Sequence, residues 1–122
     1  MYKRQGTPSK DNGEADLSYV FNAVLEIAKN LNNYKVIVCK STVIPGTNRK
    51  IEKIIKEILQ KKKQKIDFDV ASCPEFLREG TAIYDTLNPS RIVIGVESER
   101  AKKILIELHK PCLLYTSDAA DE

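Results

Sequence analysis

Two carboxylates stand four residues apart in the stretch Ser72-Cys73-Pro74-Glu75-Phe76-Leu77-Arg78-Glu79-Gly80. A glutamate held against a reacting hydroxyl or water can take its proton and give it back. Burial suits a glutamate to this work by raising its pKa toward neutrality. On one helical turn Glu75 and Glu79 would share a face, and their like charges would repel unless a ligand or Arg78 answered them. Cys73 adds a thiol two residues before Glu75. A second polar stretch is Lys40-Ser41-Thr42-Val43. Thr42 has no useful basicity; its hydroxyl can orient a group and relay a hydrogen bond. Ser41 and Thr42 could equally do no more than bond nearby backbone groups. A third stretch is Gly6-Thr7-Pro8-Ser9.

The elements around these stretches put them at comparable places. Leu17, Val20, Phe21, Val24, Ala28 and Leu31 recur at helical spacing, which predicts a helix over roughly 16–31 with Asp16 as its N-cap. Lys35-Val36-Ile37-Val38-Cys39 reads as a short strand buried on both faces of a parallel sheet. Thr47 is the expected N-cap of a helix over 48–60, with Ile51, Ile54, Ile55, Ile58 and Leu59 on one face. Phe68 to Ser72 and Arg91 to Gly95 read as two further strands. Ser98 is the expected cap of a last helix, to about 109, with Ala101, Ile104, Leu105 and Leu108 inward. Strands alternating with amphipathic helices predict an α/β fold, part of a doubly wound, mostly parallel Rossmann-like sheet. In such sheets ligands bind beyond the carboxyl ends of the strands, where all three polar stretches fall.

Composition narrows the function classes. The chain has 122 residues, enough for one small domain, and is 42% hydrophobic and 30% charged. No apolar run reaches the roughly 18 residues that a membrane span needs. The N-terminal stretch lacks the apolar core of a signal peptide. A cytoplasmic protein with no membrane partner is expected. Cys39, Cys73 and Cys112 show no metal-ligand or disulfide spacing, so reduced thiols and no metal are expected. The net charge is only +3. The run Lys61-Lys62-Lys63-Gln64-Lys65 has no interleaved aromatic residues of the kind that stack on single-stranded nucleic acid. It reads as a solvated helix end, and no nucleic-acid partner is expected.

The two ends read as foreign to the rest. Met1 to Gln5 can be encoded by GTGTATAAGAGACAG, with GTG as a start codon. The reverse complement, read from its second base, encodes Cys-Leu-Leu-Tyr-Thr, which is Cys112 to Thr116. One DNA sequence in opposite orientations therefore accounts for both ends, as a translated library adapter would. Residues 1–5 and 112–122 are expected to be adapter-derived. Residues 6–111 are expected to be an internal piece of a longer protein, the second half of a dinucleotide-binding domain.

The motifs GTPSKDNGEADLSYV, VIVCKSTVIPGT and CPEFLREGTAIYDTLNPSRIVIG, in that order, resemble the UDP-glucose/GDP-mannose dehydrogenase family over essentially all of residues 6–111. The resemblance implies an NAD-dependent oxidation of a nucleotide sugar, in which the sugar 6-hydroxyl becomes a carboxylate through two hydride transfers. A cysteine holds the intermediate, first as a thiohemiacetal and then as a thioester that water hydrolyses. UDP-glucose, oxidised to UDP-glucuronate, is the expected substrate, with a place in polysaccharide biosynthesis. GDP-mannose is the alternative. By resemblance Gly6, Thr7, Pro8, Ser9, Ser41, Thr42 and Val43 line the NAD site. Thr42 also helps orient a catalytic water or hydroxyl, and Glu75 is the acid/base. Phe76, Leu77 and Arg78 contact the nucleotide sugar together with Glu75, and Glu79 contacts cofactor or substrate. The complete protein is expected to be a homo-oligomer.

Several family features are missing from these 122 residues. They lack the glycine-rich first turn and the acidic residue for the NAD ribose. They also lack the motif carrying the nucleophilic cysteine, the lysine of the central helix and the sugar-binding C-terminal domain. The chain by itself is therefore expected to be inactive. Cys73 stands where the family usually has asparagine and reads as a replaced asparagine rather than the nucleophile. Cys39 reads as a small core residue, and His109 as a residue at a helix C-terminus in a charge–dipole role. A reading from a different class is a free-standing α/β binding module that attracts acidic ligands through its lysines.

Overall fold

A computed structural model describes residues 16–112. The expected site residues Gly6, Thr7, Pro8 and Ser9, and the two ends apart from Cys112, lie outside the described residues. The elements in chain order are α1 (Ser18–Asn30), β1 (Lys35–Cys39), α2 (Thr47–Lys61), β2 (Phe68–Ser72), α3 (Ala82–Leu87), β3 (Gly95–Val96) and α4 (Glu99–His109). A 3-10 turn, Lys110–Cys112, follows α4. They fall into two compact units.

The first unit holds residues 16–35 and Arg49–Asp67. Its helices follow the apolar stripes of the sequence. Val24 and Ala28 are buried on α1, with Leu31 just beyond it, and Ile51, Ile55 and Leu59 are buried on α2. The expected cap of α1 is displaced by one position. Leu17 is the N-cap residue, while the Asp16 carboxylate accepts the Ser18 N–H at 2.9 Å. An acidic side chain still satisfies a free N–H at the positive end of the helix. α2 ends where the lysine run begins. Lys63 adopts φ +52, and Lys62 Nζ donates to the Lys29 carbonyl at 2.6 Å. The run is a solvated helix end with one lysine tied down.

The second unit, Val36–Asn48 and residues 68–112, holds the sheet, α3 and α4. Strand order is β1-β2-β3. Cys39, the last residue of β1, accepts from the N–H of Cys73, the first residue after β2, at 3.0 Å. The carboxyl ends of β1 and β2 therefore lie side by side. β3 runs antiparallel to β2, with Ala71 opposite Val96 and Ser72 opposite Gly95. The sheet is mixed rather than mostly parallel, which corrects the sequence expectation. An apolar run specifies a strand and its faces but carries no information about strand direction.

Two further differences have local causes. The third strand is Gly95–Val96, not Arg91 to Gly95. Extending the antiparallel register would set Ile94 against Cys73 and Val93 against Pro74. Proline has no N–H to donate, and the Cys73 N–H is already committed to Cys39. β1 is half-buried rather than buried on both faces, since it is an edge of the sheet among the described residues. A Cβ at Gly95 would lie 2.5 Å from Ser72 Oγ, so any larger residue there would have to turn the Ser72 hydroxyl aside. Ala71, Cys73, Ala101 and Leu105 are buried in this unit, and α4 packs beside β3. The Ser98 hydroxyl caps α4 by accepting the Ala101 N–H at 3.2 Å, as the sequence predicts.

Candidate functional site

Two of the three polar stretches can be placed, and both lie in the second unit. The Cys73 N–H to Cys39 carbonyl bond fixes their starting points next to each other. From Cys39 the chain runs through Lys40, Ser41, Thr42 and Val43 to Gly46, at φ +88, and enters α2 at Thr47. Ser41 and Thr42 are exposed and Val43 is half-buried. Thr47 is not a forward cap. It is the first residue of α2, 3% exposed, and its hydroxyl donates back to the Ile44 carbonyl at 2.6 Å. That bond and the Thr47 N–H to Ile44 carbonyl bond at 3.1 Å tie the loop to the helix it feeds. Burial pushes the Cys39 thiol pKa up, partly offset by a contact with the Ser41 carbonyl at 3.7 Å. Cys39 therefore stays a neutral, half-buried thiol.

The second stretch leaves β2 at Cys73 and is not helical. Residues 73–78 are extended or irregular, and Glu79 and Gly80 form a turn with Gly80 at φ +80. The turn closes with the Thr81 N–H donating to the Arg78 carbonyl at 3.4 Å. Positive φ at its third residue is what glycine supplies without steric cost. Glu75 and Glu79 therefore share no helical face, which corrects the expectation of one. Both are exposed, as are Phe76, Leu77 and Arg78. The described residues do not supply the burial that would poise Glu75 as a base.

Arg78 answers neither glutamate. Its Nη2 and Nε donate to Asp85 Oδ1 and Oδ2 at 2.7 and 3.1 Å, and its backbone N–H donates to Oδ2 at 2.9 Å. The Thr81 hydroxyl adds a fourth hydrogen bond to the same carboxylate at 3.1 Å. The Arg78 side-chain bonds, then its backbone N–H, hold the Asp85 carboxyl well below the usual carboxylate range; burial opposes them and Thr81 assists. Asp85 is 9% exposed and lies in the first turn of α3, where helix N–H groups also favour an anion. Arg91 stacks its guanidinium 4.5 Å from the centre of the Phe76 ring. One face of Phe76 is therefore covered by a cation.

Cys73 is 1% exposed. Its sulfur lies 3.9 Å from Lys40 Nζ and 3.8 Å from His109 Nε2. His109 Nδ1 lies 2.8 Å from the Leu105 carbonyl, which can only accept, so Nδ1 carries a proton. In the neutral ring Nε2 is then an acceptor for the Cys73 thiol. His109 satisfies a carbonyl of the last turn of α4, as a helix-end residue should, and also reaches the start of the Glu75 stretch. Sequence reading missed both clusters. Thr81 followed by an acid in the next turn is a helix-start signal that could have found Asp85. Lys40, Cys73 and His109 meet across 33 and 36 residues of sequence, with no local signal.

Among the described residues no group of three or more histidine, cysteine, aspartate or glutamate residues could hold a metal ion. A dinucleotide is a better match for what is present. Exposed backbone and hydroxyls at Ser41 and Thr42 follow the carboxyl end of a strand, next to the end of its parallel neighbour.

Comparison with known proteins shows the family. Residues 4–113 match the family model for the UDP-glucose/GDP-mannose dehydrogenase family, NAD binding domain. The chain is 50% identical over 111 residues to UDP-glucose 6-dehydrogenase TuaD of Bacillus subtilis, covering 91% of this chain and 23% of that one. It is 48% identical over 115 residues to UDP-glucose 6-dehydrogenase of Rhizobium meliloti, covering 92% and 25%. Among solved structures it resembles a UDP-glucose dehydrogenase from Pyrobaculum islandicum, with TM-score 0.74 and 39% identity over 86% of this chain and 24% of that one. It also resembles a GDP-mannose dehydrogenase from Pseudomonas aeruginosa, solved as a ternary complex, with TM-score 0.73 and 37% identity over 87% and 25%. The chain thus spans about a quarter of the length of these relatives. With the placed motifs and the matched model in agreement, the chain belongs to the UDP-glucose/GDP-mannose dehydrogenase family, within its NAD binding domain.

Proposed function

We propose that the complete protein carrying this chain is an NAD-dependent dehydrogenase that oxidises UDP-glucose to UDP-glucuronate in two hydride transfers. The observation that carries this reading is the hydrogen bond between the carboxyl ends of β1 and β2. It brings the start of the Ser41–Val43 loop to the start of the Glu75–Glu79 stretch, as a shared cofactor and substrate site requires. Similarity to two UDP-glucose 6-dehydrogenases at 50% and 48% identity supports UDP-glucose over GDP-mannose.

NAD, when bound, supplies the hydride acceptor. In this reading Ser41, Thr42 and Val43 hold it from the β1 loop, and Thr42 orients a water or the sugar hydroxyl. Glu75 moves the proton, acting as the acid/base of the thioester hydrolysis. Phe76, Leu77 and Arg78 hold the nucleotide sugar, with Glu79 at the cofactor or substrate. Glu75 is exposed in this chain, so its cover comes from the bound ligands and from parts of the protein beyond these residues. By resemblance the nucleophilic cysteine belongs to a separate motif that these residues do not contain.

The test is Glu75→Gln in the complete protein. General acid–base assistance contributes about 10²- to 10⁴-fold, so kcat should fall on that order while the circular dichroism spectrum is unchanged. Unaltered turnover would remove Glu75 from the mechanism.

A further inference from the structure

Asp85 receives four hydrogen bonds, three of them from Arg78 and one from Thr81. Its side chain is 10% exposed, whereas that of Arg78 is 72% exposed. The guanidinium is thus gripped on its inner side and open on its outer side. A guanidinium has five N–H donors in a rigid plane. Nε–H and one Nη2–H are spent on Asp85. Both Nη1 hydrogens and the second Nη2 hydrogen remain, and they form the outer fork that matches a phosphate bidentately. The backbone is fixed along with the side chain. The Arg78 N–H is bound to Asp85, the Arg78 carbonyl closes the Glu79-Gly80 turn, and the Thr81 hydroxyl returns to the same carboxylate.

We propose that Asp85 is a positioning residue for the nucleotide sugar: by holding Arg78 and the Arg78–Thr81 turn, it presents the outer fork of the guanidinium to the diphosphate of that substrate. This rests on the functional reading above. Asp85 touches neither substrate nor cofactor and acts only through Arg78. The pairing cancels part of the charge on Arg78, so what Asp85 supplies is orientation. A free arginine would give up rotamer entropy on binding, and the held one has already done so. Arg78 alone, on an exposed irregular stretch, would have no fixed direction.

The test is a double-mutant cycle in the complete protein, measuring KM for UDP-glucose, kcat and the Kd for NAD. Losing a hydrogen bond to a charged group costs about 10-fold or more. Arg78→Ala and Asp85→Asn should each raise KM for UDP-glucose by about that factor, with kcat and the Kd for NAD nearly unchanged. The double variant should lose no more than Arg78→Ala alone, because Asp85 has no route to the substrate except Arg78. Asp85→Glu, which keeps the charge, should recover part of the loss, and it replaces Asp85→Asn in the cycle if that variant does not fold. Multiplicative losses in the double variant, or equal damage to the NAD and UDP-glucose constants, would overturn the proposal. A wild-type protein that turns over UDP-glucose while the cycle is multiplicative would sink the Asp85 role alone. A wild-type protein that neither binds nor oxidises a nucleotide sugar would sink the functional reading, and this ligand with it.

Discussion

Arg78 was open to two readings, as a counter-charge to Glu75 and Glu79 or as a ligand contact. It is not the counter-charge: its inner edge pairs with Asp85, which leaves its outer edge and the two glutamates exposed. The grip has a definite pH signature. The Asp85 carboxyl titrates below its unfolded-chain range, so the unfolded state takes up protons first as pH falls. The stabilisation from this group is fully present above an ordinary aspartate pKa of about 4. It is lost as pH drops through the lower folded value. A carbon-13 titration of the Asp85 carboxyl should show a midpoint below that of ordinary aspartates, and Arg78→Ala should raise it part of the way, because the residue-78 N–H and the Thr81 hydroxyl still donate to the carboxylate. A wild-type midpoint already in that range would show that the ion pair does not persist in solution. Little of this was legible at the residue scale. Glu75, Phe76, Leu77, Arg78 and Glu79 were identified as a group from their motif. The partner of Arg78 lies seven residues on, across a turn that only Gly80 announces.

At the scale of elements the sequence was most informative where a periodic stripe was long. α1, α2 and α4 lie within about two residues of expectation, and β1 and β2 match it. α3 was missed because Ala82–Leu87 is under two turns long, too short to establish a period. β3 was overextended because Arg91 to Gly95 has the residue types of a strand, while its would-be partners include Pro74. Direction was legible for β1 and β2, which α2 joins, but not for β3, which is antiparallel. Two substitutions test the local devices. Ser98→Ala removes the N-cap of α4 and should cost about 1 kcal/mol of folding stability, read as a lower denaturation midpoint. Gly80→Ala places a Cβ at φ +80. It should cost about 1–2 kcal/mol, and it should also weaken the Arg78–Asp85 pairing, because the turn sets their approach. A midpoint raised toward the ordinary aspartate range, beside a stability loss of that size, is the expected pattern. An unshifted, still depressed midpoint in Gly80→Ala would show that the turn and the latch are independent.

At the scale of the whole molecule, the chain supplies two adjoining loops at the carboxyl ends of parallel strands. It spans about a quarter of the length of its relatives. The family was legible because its motifs fall on the loops that the sheet presents, where function rather than packing dictates residue type. Gly6, Thr7, Pro8 and Ser9 remain assigned to the NAD site by resemblance. The remaining chemistry is asked of the complete protein. Its most direct measurement is the stoichiometry of NAD reduction with limiting UDP-glucose, followed at 340 nm with product identified by mass spectrometry. Two NADH formed per UDP-glucuronate is the expected result, with the Glu75→Gln protein stalling after about two NADH per active site, because thioester hydrolysis follows both hydride transfers. One NADH per sugar, or no reduction of NAD by any nucleotide sugar, would contradict it.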